Sequence, residues 1–157
     1  MAVTRFTGPV MSGDLLAGDV GGPNLGLTEL IQQVGLATFG AAGSVDTAVY
    51  IPAGSIIRSF TVDVLTVSND GTSSTLLIGN TAGGTQYATS YDLKSATGRI
   101  AYTATAAQLA AMNSVGLTGA AAPTPALVNL RVTNAGTTGT AGYAVVTINY
   151  VQQGTLT

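Results

Sequence analysis

From Thr28 onward, apolar and polar residues alternate with a period of two along most of the chain, the repeat of strands that bury one face. The clearest run is residues 59–64, in which Phe60, Val62 and Val64 share one face and Ser59, Thr61 and Asp63 the other. Leu65 and Val67 then fall in the formerly polar phase, which implies a bulge or burial of both faces near the strand end. Earlier strands are predicted at about 28–39 and 45–51, separated by Gly40-Ala41-Ala42-Gly43-Ser44 and closed by Pro52-Ala53-Gly54. Asn69-Asp70-Gly71 reads as a tight hairpin turn, with Leu76 and Ile78 as the inward positions of its returning strand.

After the turn region Gly79 to Gly84, the set Tyr87, Thr89, Tyr91 and Leu93 predicts another strand, and Gly98 to Thr103 a short one. One helix is predicted at about 106–113. Thr105 and Gln108 have capping-box spacing, alanines and Leu109 favour the helix, and Leu109 and Met112 are expected to point inward. Gly116 is its expected stop. Val128, Leu130 and Val132 then mark a strand at 126–133. Ala144, Val146, Ile148 and Tyr150 mark the last, after the Gly/Thr-rich turn region 134–142.

Eight or so short strands and one helix predict an all-β fold, an antiparallel β-sandwich. A jelly-roll-like arrangement is favoured because a long connection holding one helix suits a Greek-key crossover. Residues 1–27 are punctuated by Gly8, Pro9, Gly13, Gly18, Gly21, Gly22, Pro23 and Gly26, and read as an extended N-terminal arm ahead of a β-sandwich domain at 28–157.

Composition then narrows the chemistry. The 157 residues include no His, Cys or Trp, and only 8% are charged, against roughly 25% in a typical soluble domain. Without His there is no side chain that titrates near neutrality by default, and without Cys no thiolate nucleophile. The chain therefore reads as a structural or binding protein and not an enzyme. Its five basic residues and net charge of −2 argue against nucleic acid, whose binding depends on Lys and Arg neutralising phosphates. No run approaches the ~20 apolar residues that span a bilayer, and no signal-peptide core can be drawn at the N-terminus. A weakly charged surface also favours self-association.

Candidate sites fail one by one. Of the acids Asp14, Asp19, Glu29, Asp46, Asp63, Asp70 and Asp92, no two lie within three residues of each other, and neither a paired-acid nor a calcium-loop spacing occurs. Those beside turns are expected to be solvated caps. Gly79 to Gly84 lacks the Lys and helix of a phosphate loop. Lys94 and Ser95 are adjacent and so diverge across a strand. Tyr50, Tyr87, Tyr91, Tyr102, Tyr143 and Tyr150 could stack on sugars, but packing is the expected use. No catalytic, cofactor-binding or metal-ligating residue is assigned.

Residues 51–57, Ile-Pro-Ala-Gly-Ser-Ile-Ile, run into the Phe60 to Val64 alternation, and Leu77-Ile78-Gly79-Asn80-Thr81 follows one strand later. With the Gly/Thr-rich turn before Tyr143 to Val151, these motifs make residues 45–151 resemble the small β-sandwich proteins of tailed-bacteriophage virions. The resemblance implies a jelly-roll capsid decoration, or cement, protein on the capsid exterior, made in the bacterial host cytoplasm. Its implied partners are the major capsid protein and itself, as a homo-oligomer with a trimer favoured over a dimer. The alternative is another virion or surface-appendage module: a head fibre, a tail component, or a receptor- or carbohydrate-binding β-sandwich.

Overall fold

The computed structural model describes residues 27–52, 55–114 and 126–153. The expected arm, apart from Leu27, and the expected helix stop at Gly116 lie outside the described residues. In chain order the elements are β1 (Leu27–Ala37), β2 (Gly43–Ile51), β3 (Ser55–Thr66), β4 (Ser73–Gly79), β5 (Ala88–Asp92), β6 (Gly98–Ile100), α1 (Ala106–Ser114), β7 (Ala126–Ala135) and β8 (Tyr143–Gln153).

They form two antiparallel four-stranded sheets, ordered β1-β8-β3-β6 and β2-β7-β4-β5. The pairs β1·β8, β2·β7, β3·β6 and β4·β5 are nested, so the chain is one long hairpin rolled around a common core. That is the jelly-roll topology with its two Greek keys. Inward residues of both sheets, among them Val62, Val64, Leu76, Ile78, Val128, Leu130, Val146 and Ile148, make one continuous buried cluster.

Two bulges govern β3. Its register against β8 slips between Ile57 and Ser59 and again between Val64 and Thr66, so Arg58 and Leu65 are the extra residues. Each slip changes which parity faces inward. Ser55 and Ile57 are buried before the first bulge and Val62 and Val64 after it, while Leu65 is left exposed. Of the two explanations open for Leu65 and Val67, the bulge applies.

Several expectations are corrected. Asn69-Asp70-Gly71 does not close a hairpin, because β3 and β4 belong to different sheets and the segment crosses between them. Gly71 takes no positive φ. Its smallness serves close approach instead, since a Cβ there would sit 2.4 Å from the Thr137 hydroxyl. The Tyr87, Thr89, Tyr91 alternation is also broken. Leu76 pairs with Tyr91 but Ile78 with Ala88, so β5 carries one extra residue, Ala88 turns inward and Thr89 is exposed. The strand expected at Gly98 to Thr103 ends at Ile100. On α1, Met112 is buried at 4% exposure, but Leu109 stands out at 49%.

Candidate functional site

The connections β1–β2, β3–β4, β5–β6 and β7–β8 all lie at one end of the sandwich, as the pairs Ala37 with Tyr143, Thr66 with Tyr143, Ser73 with Ala135 and Gly43 with Asn134 require. Asp70, in the β3–β4 connection, is the point where they meet, and it is only 1% exposed. Its Oδ1 accepts the Gly139 N–H at 2.9 Å and the Gly40 N–H at 3.3 Å, and its Oδ2 accepts the Ser68 hydroxyl. The Lys94 ammonium donates to the Asp70 carbonyl oxygen. Side chain and main chain of this one residue therefore touch all four loops.

Asn69 reinforces the junction. Its Oδ1 accepts the Thr140 and Ala141 N–H groups at 2.7 and 2.9 Å, and its Nδ2 donates to the Thr140 hydroxyl. Main-chain bonds from Asn69 to Ala141, Gly71 to Thr137 and Ser68 to Leu93 add further ties. Burial alone would raise the Asp70 pKa, but the Ser68 hydroxyl, the Gly139 and Gly40 amides and the Lys94 charge together hold it below the ordinary 3.8. Asp70 is thus an ionised structural group and not the solvated cap expected of an acid beside a turn. Lys94, dismissed as half of a chance pair with Ser95, works here through Asp70.

Around this braced end, four large apolar side chains are exposed: Phe39, Val45, Leu65 and Tyr143. Leu65 is held out by its bulge, and the Tyr143 ring lies over Gly35, where a Cβ would meet the phenol oxygen. Loops tied by a buried charge have little conformational freedom left to lose, so the shape of this end is set in advance of any contact.

A second feature lies toward the other end. Because β6 covers only Val62 to Val64 on the β3 edge, the start of β3 is flanked instead by α1 and the segment leading into it. Between them is a half-open cleft of about 340 Å³ lined by Arg58, Phe60, Tyr87, Tyr91, Tyr102, Leu109 and Met112, among others. Phe60 and Tyr87 stack at 5.7 Å between ring centroids, and Tyr91 and Tyr102 meet at 4.8 Å with their planes tilted by 37°. The Tyr102 hydroxyl accepts the Thr89 N–H at 3.0 Å and donates to Gln108 Oε1 at 2.9 Å. That same oxygen accepts the Thr105 N–H while the Thr105 hydroxyl accepts the Gln108 N–H, so the expected capping box is present and also fixes the cleft wall.

Burial disfavours ionisation of two of these phenols. Burial, with Tyr102 adding a smaller effect, pushes Tyr91 up to about 12, and burial raises Tyr87 as well. Burial would raise Tyr102 too, but its bonds from Thr89 and with Gln108 bring it below its ordinary value of 10.0. Tyr50 and Tyr143 are exposed elsewhere and Tyr150 is buried, so three of the six tyrosines gather here.

Two carboxylates sit in cross-strand ion pairs on the outer faces. Arg131 holds Asp46 in a two-bonded fork at 2.9 and 2.6 Å across β2·β7, and Arg99 holds Asp63 likewise at 3.0 and 3.1 Å across β3·β6. The Asp46 pKa is lowered, chiefly by the Arg131 hydrogen bonds. Among the described residues, no three His, Cys, Asp or Glu side chains cluster in a way that could hold a metal ion.

No known protein family, curated protein or solved structure matches this chain. The braced end and the aromatic cleft are both products of tertiary folding, and sequence reasoning missed them. The only local signals were Asn69-Asp70 between two apolar runs and the spacing of Tyr87 from Tyr91.

Proposed function

We propose that this chain is a structural virion protein that decorates a tailed-bacteriophage capsid, binding across neighbouring major capsid protein subunits from the outside and associating with itself. The observation that supports this best is the braced loop end. It sets Phe39 in the β1–β2 loop, and Val45, Leu65 and Tyr143 in the strand ends beside it, around a buried Asp70 whose carboxylate accepts three hydrogen bonds. A rigid apolar tip on a weakly charged β-sandwich suits fixed-geometry contact with a repeating protein lattice. The jelly roll adds only an analogy, since that fold also serves lectins and cupins.

A protein that binds the assembled lattice and not free subunits stabilises the assembly by mass action. The test is co-sedimentation with expanded heads of the encoding phage, compared with unassembled capsid subunits. Saturable binding to heads alone is the expected result, and no binding to either removes the reading. The cleft of Phe60, Tyr87, Tyr91 and Tyr102 favours a second reading, a receptor- or carbohydrate-binding virion module. Glycan-array binding lost on Tyr102→Ala, together with no head binding, would establish that reading instead.

A further inference from the structure

Edge strands present unpaired main-chain groups, and proteins ordinarily blunt them by shortness, bulges or charge. The sandwich has four edges, and it treats them unequally. On one flank, β6 is three residues long and carries Arg99, while β5 is five residues long and bulged. On the other flank, β1 runs for eleven residues in unbroken register with β8, contains no Pro or Lys, and has one charge, Glu29. No described strand covers its outer edge. Ile31 stands 66% exposed on its outward face, and Leu30 and Val34 are only half-buried on its inward face.

We infer that β1 pairs antiparallel with β1 of a second copy, joining the two β1-β8-β3-β6 sheets into one across a two-fold axis at Gln32. Full overlap of the eleven residues sets this register, and even spacing about Gln32 keeps inward residues inward. Ile31 then lies opposite Gln33 and diagonal to Ile31 of the second copy, within reach of it. Leu30 lies opposite Val34, which completes the burial of both. Glu29 lies opposite Gly35, and the two Glu29 carboxylates are roughly 20 Å apart along the strands.

The same operation at β2 is disfavoured. Full overlap of its nine residues centres on Thr47 and sets Asp46 diagonal to Asp46 of the second copy, so that two carboxylates, each with one Arg131 partner, crowd the seam where β1 would place apolar side chains. The partner edge is therefore β1. An antiparallel pair points its braced loop ends in opposite directions, about one strand length or roughly 35 Å apart, a geometry suited to bridging two neighbouring subunits. It makes a dimer where the sequence resemblance favours a trimer.

Sedimentation equilibrium of the full chain, with Ile31→Lys and Ile31→Glu alone and mixed, tests the pairing. The wild-type chain is expected to be a dimer. Each substitution is expected to weaken it at least about tenfold, through lost apolar contact and like-charge approach. Mixing the two variants is expected to restore dimers through opposite charges at the diagonal. Because Ile31 is exposed in the single chain, both variants are expected to stay folded as monomers and to melt cooperatively, at the temperature the wild type approaches on dilution. A wild-type monomer, a trimer, a dimer indifferent to Ile31→Lys, or no recovery on mixing overturns the inference. Head binding by a monomeric wild-type chain overturns it while leaving the decoration reading intact, and a charge-rescued dimer that binds no heads does the reverse.

Discussion

Replacing Asp70 by alanine removes the acceptor on which the β1–β2 and β7–β8 loops converge. Three donors lose an ionised partner: the Ser68 hydroxyl and the Gly40 and Gly139 amides. Hydrogen bonds to charged groups contribute about 1.5–3 kcal/mol each, but these are not additive. The Gly139 N–H also reaches the Gly40 carbonyl at 3.3 Å and keeps that partner. A cost of about 3–5 kcal/mol is therefore expected, and about 1–2 kcal/mol for Asp70→Asn, whose amide still offers an oxygen to the two glycines.

For a chain of this size, each kcal/mol moves the melting temperature by about 2–4 °C, so the alanine variant should melt roughly 6–20 °C lower in a calorimetric scan at pH 7. The carboxylate is held below 3.8, so its contribution is complete above about pH 4 and is lost as pH falls through the depressed native value. The wild-type and Asp70→Asn melting temperatures should accordingly converge once the pH has fallen below that depressed native value. Amide exchange should quicken at Gly40 and Gly139 in the variants, with little change at the capping box of α1. An alanine variant that melts within about 2 °C of wild type would refute the claim that Asp70 organises the loop end.

Two further substitutions separate neighbouring residues by their surroundings. Met112→Ala, at a buried position, should cost about 2–4 kcal/mol, whereas Leu109→Ala, half exposed three residues earlier, should cost less than about 1, both read from urea unfolding midpoints. Gly136→Ala should cost about 2–4 kcal/mol, because φ is +93° and a Cβ would lie 2.5 Å from the Thr72 nitrogen. Gly98→Ala, at φ +107° with open space around it, should show the backbone strain alone, about 1 kcal/mol.

The alternation of Phe60, Val62 and Val64, of Val128, Leu130 and Val132, and of Val146, Ile148 and Tyr150 made their strands legible, because a period of two reports which face is buried. It does not report which strand lies alongside. Asn69-Asp70-Gly71 could therefore be mistaken for a hairpin turn when it carries the chain from one sheet to the other. Bulges are equally silent in the pattern. The extra residue in β5 detached Thr89 from the set to which its spacing assigned it, while the bulge at Leu65 was detectable because the apolar phase itself shifted.

The capping box was readable since both of its bonds join residues three apart. The helix face was not, because what lies beside Leu109 depends on where β6 stops. The braced end was hidden for the same reason. Asp70 meets Gly40, Lys94 and Gly139 across separations of 30, 24 and 69 residues, and only the rolled topology brings those loops together.

The central claim is that this chain binds and reinforces an assembled capsid, and the most direct measurement is the thermal disruption of phage heads with and without it. Heads stripped of the chain, with DNA release followed by dye fluorescence, should disrupt at a higher temperature as the chain is added back. The rise should saturate at a fixed number of copies per head and shrink when Asp70→Ala loosens the binding end. An unchanged disruption temperature at saturating chain would contradict the account.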